Sequence, residues 1–248
     1  MANPLEQFEV VRIVPLEIAG IDASITNAAV WMMIVVAMVT TFLLGGMRRR
    51  ALVPGRWQSM AELSYEFVAS MVRENVGAGG RPYFPFVFSL FMFVLGANLA
   101  GLIPGSFTVT SHLAVTFAFA ALIFLGVIVI GFARHGLKFL TLFVAPGTPL
   151  AFLPLIVILE VVSFFTRPVT HSVRLFANMT AGHILLKVFG GFVVSLGAAG
   201  GIFAAAGILP LAFNVALTAL ELLVAVIQAY VFAILTCVYL NDAVNLSH

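Results

Sequence analysis

Between residues 82 and 133 the chain carries no Asp, Glu, Lys or Arg. No water-soluble fold keeps so long a stretch free of charge, because surface positions recur within it whatever the secondary structure. A bilayer asks for the reverse. One span needs about 20 predominantly apolar residues, so this run holds two. Composition agrees: 62% of the 248 residues are hydrophobic and 9% are charged, against roughly 25% charged in an average soluble domain. This excludes a soluble globular enzyme and a disordered tail. A net charge of +2 supplies no phosphate-binding face, so nucleic acid is excluded as a partner. The lone Cys237 lies in an apolar run, which leaves no disulfide framework and no zinc site.

The fold class that follows is an all-α integral membrane protein of about five to six helices. Spans are expected at 27–46, 83–103 and 112–132, the last two separated by Pro104-Gly105-Ser106. After Lys138 two longer apolar segments follow, 149–190 and 207–240, with a Gly-rich loop between them. Some 40 residues of helix reach about 60 Å, twice the roughly 30 Å hydrocarbon core, so each segment either breaks in two or lies strongly tilted. Pro154 and Pro168 are candidate break points. Three regions result: an exposed N-terminal segment 1–26, a membrane region 27–148, and a long hairpin 149–248. The first 26 residues carry Glu6, Glu9, Glu17 and Asp22 and do not read as a signal peptide; no mitochondrial presequence is visible.

Lys and Arg alternate between connections. Residues 47–82 hold Arg48, Arg49, Arg50, Arg56, Arg73 and Arg81, and 133–148 hold Arg134 and Lys138, whereas 104–111 and 191–206 hold neither. Basic loops face the cytoplasm, which places the N-terminus outside and the C-terminus inside. Within the first basic connection, Trp57, Met60, Leu63, Phe67 and Met71 recur at helical spacing, with Glu62, Glu66, Arg73 and Glu74 turned away. That pattern predicts an amphipathic helix over 57–76, on the membrane surface or as a cap packed on the spans.

After Lys138 the charged residues are Glu160, Arg167, Arg174, Lys187, Glu221 and Asp242, and all but Asp242 fall inside apolar segments. A charge at mid-membrane costs about 2.5–3.5 kcal/mol on insertion scales, so each is a functional candidate. Snorkelling to the interface suits Lys187, Arg167 and Asp242 but not Arg174 or Glu221, which lie too deep. At 100° per residue, Glu160, Ser163, Arg167, Thr170, Arg174 and Asn178 form one polar stripe, with His183 on the opposite face. In the last helix Asn214, Glu221 and Gln228 recur every seven residues and share a face. Two facing polar stripes would make a hydrated path. A merely structural seam would favour Ser, Asn and Gln over Arg, Glu and His. His exchanges a proton near neutral pH, and Glu does so where burial favours its neutral form. Arg stays protonated and suits a gate.

There is no G-x-x-x-x-G-K-[ST], hence no nucleotide site of that class. The five histidines form no paired haem pattern. No cofactor and no metal are expected. The triplets Asn178-Met179-Thr180 and Asn245-Leu246-Ser247 match a glycosylation acceptor by chance, given their predicted depth and side.

The run from Arg167 to His183, with RLFANMTAGH at its core, closely resembles the signature of subunit a of the F-type ATP synthase. The last helix, Glu221 through Gln228 to Tyr239-Leu240, is similar to the same family, as is Asn98-Leu99-Ala100-Gly101-Leu102-Ile103-Pro104. The likeness covers essentially the whole chain.

The resemblance implies a membrane stator without a catalytic site or direct nucleotide binding. Its partners would be a rotating ring of c subunits, the b and b′ subunits of the peripheral stalk, and membrane lipids. Protons would pass through two half-channels, and Arg174 would be the gate opposite the ring carboxylate. Asn178 and Gln228 match polar residues near that arginine. His183 and Glu221 match a pair in the outer half-channel, exchanged relative to many bacterial members in the arrangement of mitochondrial forms. Glu160 matches the acid of the inner half-channel, and Asn214 shares the stripe of Glu221. The two long segments would be a tilted hairpin hugging the ring, in a bacterial inner membrane. Two other classes compete. A secondary transporter predicts an inverted repeat, and a haem-bearing membrane anchor predicts facing histidine pairs. Neither accounts for the RLFANMTAGH run.

Overall fold

The computed structural model describes residues 9–15, 17–18, 21–22, 24–48, 51, 53–103, 105–144 and 152–245. Glu6, Arg49, Arg50, Pro104 and His248, the start of the predicted hairpin at 149–151, and most of the second glycosylation triplet lie outside the described residues.

Seven helices carry the fold among the described residues: α1 (Asn27–Met47), α2 (Arg56–Val76), α3 (Phe84–Gly101), α4 (Leu113–His135), α5 (Leu153–Ala199), α6 (Gly201–Ala206) and α7 (Ile208–Val244). Five helical stretches are long and apolar enough to cross a membrane. The predicted spans fall on α1, α3 and α4. Helix ends follow local chemistry. The Thr26 hydroxyl accepts the Ala29 N–H at 3.3 Å, an N-cap for α1. Gly77 closes α2 at φ 74°, a left-handed conformation that glycine adopts without a Cβ penalty.

Two antiparallel pairs of short strands precede α1: β1 (Arg12–Val14) with β4 (Ile25–Thr26), and β2 (Glu17–Ile18) with β3 (Ile21–Asp22). Sequence periodicity over so few residues gives no strand signal, and none was expected. Asn27 ties this segment to α1. Its amide donates to the Glu9 carbonyl at 2.9 Å and its oxygen accepts from Val11 N–H at 3.2 Å.

The chain forms two compact units interleaved along the sequence. One comprises residues 1–39, 93–112 and 175–229, the other 40–92, 113–174 and 230–248. In the first, Val35 of α1 packs on Ala97 and Ala100 of α3, and a Cβ on Gly96 would stand 2.8 Å from Val39. Small residues let these helices approach closely. In the second, the end of α1 lies on the start of α2, with Phe42 edge-on to Trp57 at 5.5 Å. The C-terminal end is held there too: Asn245 donates to the Val76 carbonyl at 2.9 Å, and His135 Nε2 meets the Val244 carbonyl at 3.2 Å.

One expectation changes and two open alternatives narrow. First, the long segments do not break. α5 runs unbroken for 47 residues with Pro168 inside it, and α7 for 37. At 1.5 Å per residue these are about 70 and 55 Å, so neither stands upright within a 30 Å core. Second, the Gly-rich connection is mostly helix. α5 continues to Ala199, and only Gly200 (φ 69°) and Gly201 (φ 56°) make the break before α6. Ala, Val, Leu and Phe around those glycines favour the helix more than the glycines oppose it. Third, α2 has two apolar lines. Trp57, Met60, Leu63 and Phe67 are exposed, while Ala61, Val68, Met71, Val72 and Val76 are buried. The helix is thus packed on its own unit through one line and presents the other outward.

Candidate functional site

α5 segregates its residues by face. Ser172, Leu175, Met179 and His183 are buried at helical spacing, whereas Val173, Arg174, Ala177 and Asn178 are exposed. Sequence geometry put Arg174 and His183 on opposite faces, and they are. The same geometry set the Glu160–Asn178 stripe toward the last helix. Much of that stripe faces outward instead: Ser163, Thr170, Arg174 and Asn178 are all exposed. The buried side of α5 carries Phe164, His171, Ser172, Leu175, Met179 and His183. On α7 the shared face is the inward one: Glu221 and Gln228 are buried and Asn214 half-buried.

Within the first unit, His183 Nε2 lies 3.7 Å from Glu221 Oε1. Thr108 Oγ1 lies 3.2 Å from the same ring nitrogen. Glu221 is 4% exposed, and neither of its oxygens makes a hydrogen bond among the described residues. An isolated carboxylate in such a place is costly, so this group is a candidate to carry a proton. Nearby, Asn98 of α3 donates to the Ala225 carbonyl at 3.1 Å, one turn after Glu221. Asn214 Oδ1 is buried without a hydrogen bond among the described residues.

The second unit holds the other charged group. Arg167 Nη1 donates to Asp242 Oδ2 at 2.6 Å and its Nη2 lies 3.9 Å from Glu160 Oε1. The guanidinium also sits over the rings of Phe164 and Tyr239, 5.5 and 5.4 Å from their centroids. Glu160 therefore has a basic neighbour about two turns along its own helix. His171 is buried against Phe232, with ring centroids 3.9 Å apart. Arg174 makes no hydrogen bond and no ion pair with any described residue, and it is exposed. An arginine with no counter-charge among the described residues, on a helix face whose other polar groups are uncharged there, is open to one from elsewhere.

The arrangement is thus a buried acid–imidazole pair in one unit, an acid–arginine–acid group in the other, and a lone exposed arginine. The sequence profile of the family described as ATP synthase A chain matches residues 29–241. The chain belongs to the ATP synthase A chain family. It is 58% identical to "ATP synthase subunit a" of Chelativorans sp. (strain BNC1) over 99% of both chains. It is likewise 58% identical to the protein of that name from Mesorhizobium japonicum, over 99% of this chain and 98% of that one. With the Paramagnetospirillum magneticum subunit it shares 54% identity over 99% of this chain and 100% of the other. Membership makes it a multi-pass, non-catalytic subunit of the proton-translocating membrane complex of ATP synthase.

Two members of these clusters were not singled out from the sequence. Thr108 stood in a predicted loop, where a hydroxyl has no distinguishing pattern. Gly182 precedes His183 inside the family-like run, and its one signal was that adjacency. Asp242, expected as an interfacial residue, is partly exposed and also holds Arg167.

Proposed function

We propose that this chain is the stator that couples proton flow to rotation of a ring of c subunits, with Arg174 as the gate between two half-channels. The observation that carries this reading is the exposed guanidinium of Arg174, which makes no ion pair among the described residues. A ring carboxylate must be neutral while it faces lipid, and it ionises at acceptable cost only beside a fixed cation. Arginine is that cation at any working pH. It also repels protons moving directly between the half-channels. One proton crossing 100 mV releases about 2.3 kcal/mol, which a leak would dissipate.

His183 and Glu221 serve the outer half-channel, with Asn214 along the same face of α7. Glu160 serves the inner one. Asn178 and Gln228 flank the arginine as polar groups. Supporting the outer assignment are the burial of Glu221 and its 3.7 Å approach to His183. The long hairpin 149–248 lies obliquely against the ring, and the exposed line of α2 rests at the cytoplasmic membrane surface. The chain contacts a peripheral stalk, sits in a bacterial inner membrane, and has its N-terminus outside and C-terminus inside, in keeping with its basic loops.

The test is proton flux in liposomes that hold the whole complex with Arg174→Ala. A pH dye follows ATP-driven pumping and passive leak, and a native gel checks assembly. Lost pumping with raised leak in an intact complex is the expected result. Normal pumping would show that Arg174 is only a snorkelling cation.

A further inference from the structure

The turn between α3 and α4 is not a surface loop. Phe107, Thr108, Val109, Thr110 and Ser111 are all buried. A polar run of Thr, Val, Thr and Ser has no apolar reason to be inside a membrane protein, so its contacts carry the explanation. Ser111 Oγ donates to the Thr108 carbonyl at 2.6 Å, and His112 stacks on Phe107 at 4.8 Å. Burial pushes the His112 imidazole below the usual histidine value. Thr180 of α5 donates to the Ser111 carbonyl at 3.5 Å. Thr108 itself fits where Gly101 has no side chain: a Cβ there would stand 2.8 Å from its methyl. The turn is thereby fixed at both α3 and α5. Thr108 reaches from it to the acid–imidazole pair, with Oγ1 3.2 Å from His183 Nε2.

That nitrogen is the ring atom that also faces Glu221, at 3.7 Å from Oε1. One N–H cannot point at two acceptors equally, and a bare lone pair needs a donor. A hydroxyl meets both states, since it donates once and accepts twice. We propose that Thr108 is a positioning residue for proton exchange between His183 and Glu221. While Nε2 is protonated, Thr108 Oγ1 accepts from it. When the Nε2–H bond breaks and an O–H forms on Glu221, imidazolium and carboxylate become imidazole and carboxylic acid. The Thr108 O–H then turns to donate to the vacated lone pair. No bond within Thr108 breaks, and the ring keeps its orientation through the transfer. Among the described residues, the charged groups that bear on His183 are Glu221 from α7 and Lys187 one turn further along α5.

This inference rests on the outer half-channel reading of His183 and Glu221, so the test includes Glu221→Gln beside Thr108→Val and Thr108→Ser. Valine keeps the shape and removes the hydroxyl; serine keeps the hydroxyl. Each is placed in the whole ATP synthase in sealed vesicles, and assembly is checked by native gel. ATP synthesis is driven by an imposed gradient while the pH on the outer face is varied. The expected result is a rate about tenfold lower for Thr108→Val, as for loss of one hydrogen bond from the transfer step. Its decline toward alkaline outer pH should begin earlier, and Thr108→Ser should stay within about twofold of the parent. A merely structural threonine would lower the rate at all pH values alike, and that outcome overturns the inference. A parental rate and pH profile for Thr108→Val, with Glu221→Gln inactive, overturns it while sparing the reading beneath. Unchanged synthesis in Glu221→Gln overturns both. If Thr108→Val does not assemble, Thr108→Ala, which cannot overcrowd the site, supplies the same comparison.

Discussion

A Cβ placed on Gly182 would stand 2.6 Å from Glu221 Oε1. The carboxyl of α7 is therefore seated on bare backbone of α5, beside His183. Alanine for glycine inside a helix normally gains about 1 kcal/mol. Here the added methyl must push the carboxyl away or part the helices. Gly182→Ala should assemble yet lose ATP-driven proton pumping by about tenfold or more, since small misplacements in a transfer step are expensive. Pumping assays on vesicles matched for complex content measure this. Parental pumping would mean that the carboxyl has room to move and that its seat is unimportant.

His183 and Glu221 come from different helices and meet side chain to side chain at 3.7 Å. If the pair works as a unit, exchanging its members keeps its chemistry. The double variant Glu221→His with His183→Glu should pump faster than either single variant, a positive coupling in the double-mutant cycle. Thr108, which bonds either an imidazole or a carboxylate, is compatible with the exchange. A double variant no better than the worse single would show that the two groups act separately.

Arg167 holds Asp242 at 2.6 Å, reaches Glu160 at 3.9 Å, and lies over two aromatic rings. The pair is partly exposed, with side chains 24% and 27% accessible, so solvent screens it. A coupling of about 1 kcal/mol is expected from a cycle of Arg167→Gln, Asp242→Asn and both together. Thermal release of the chain from the purified complex would report it. Arg167→Lys should recover little, because an ammonium cannot keep a planar stack and two carboxylates together. Additive effects of the single changes would remove the pair from the account.

Most of this architecture was legible in the sequence because lipid imposes one rule on long stretches. The charge-free run fixed α3 and α4, and the heptad spacing of Glu221 and Gln228 gave the inward face of α7. What escaped depended on contacts that periodicity does not encode. The outward turn of Arg174 and Asn178 could not be told from an inward one, since a helix wheel gives relative and not absolute directions. Pro168 reads as a break, yet a helix in a bilayer tolerates one lost hydrogen bond when its neighbours are in place. The burial of Thr108 depends on Gly101 and Thr180, far from it in helix phase or in chain position. The strands before α1 are too short to show a period of two.

Asn98 is fully buried; its amide donates to the Ala225 carbonyl, while its Oδ1 has no hydrogen bond among the described residues. Two substitutions of similar volume separate these facts. Asn98→Leu removes the donor and the unsatisfied oxygen together, so the loss should be about 1 kcal/mol or less. Asn98→Asp loses the donor and sets an acidic oxygen against a carbonyl, either as a buried charge or as a proton taken up at a cost. A penalty of about 3 kcal/mol is expected. Thermal stability of the assembled complex should therefore fall in the order parent, Asn98→Leu, Asn98→Asp. Because Ala225 is one turn from Glu221, pumping in Asn98→Asp should fall below that of Asn98→Leu at temperatures where both complexes remain intact. Equal stability of the two variants would mean that water already reaches this amide, and that the contact between α3 and α7 is wetter than its burial indicates.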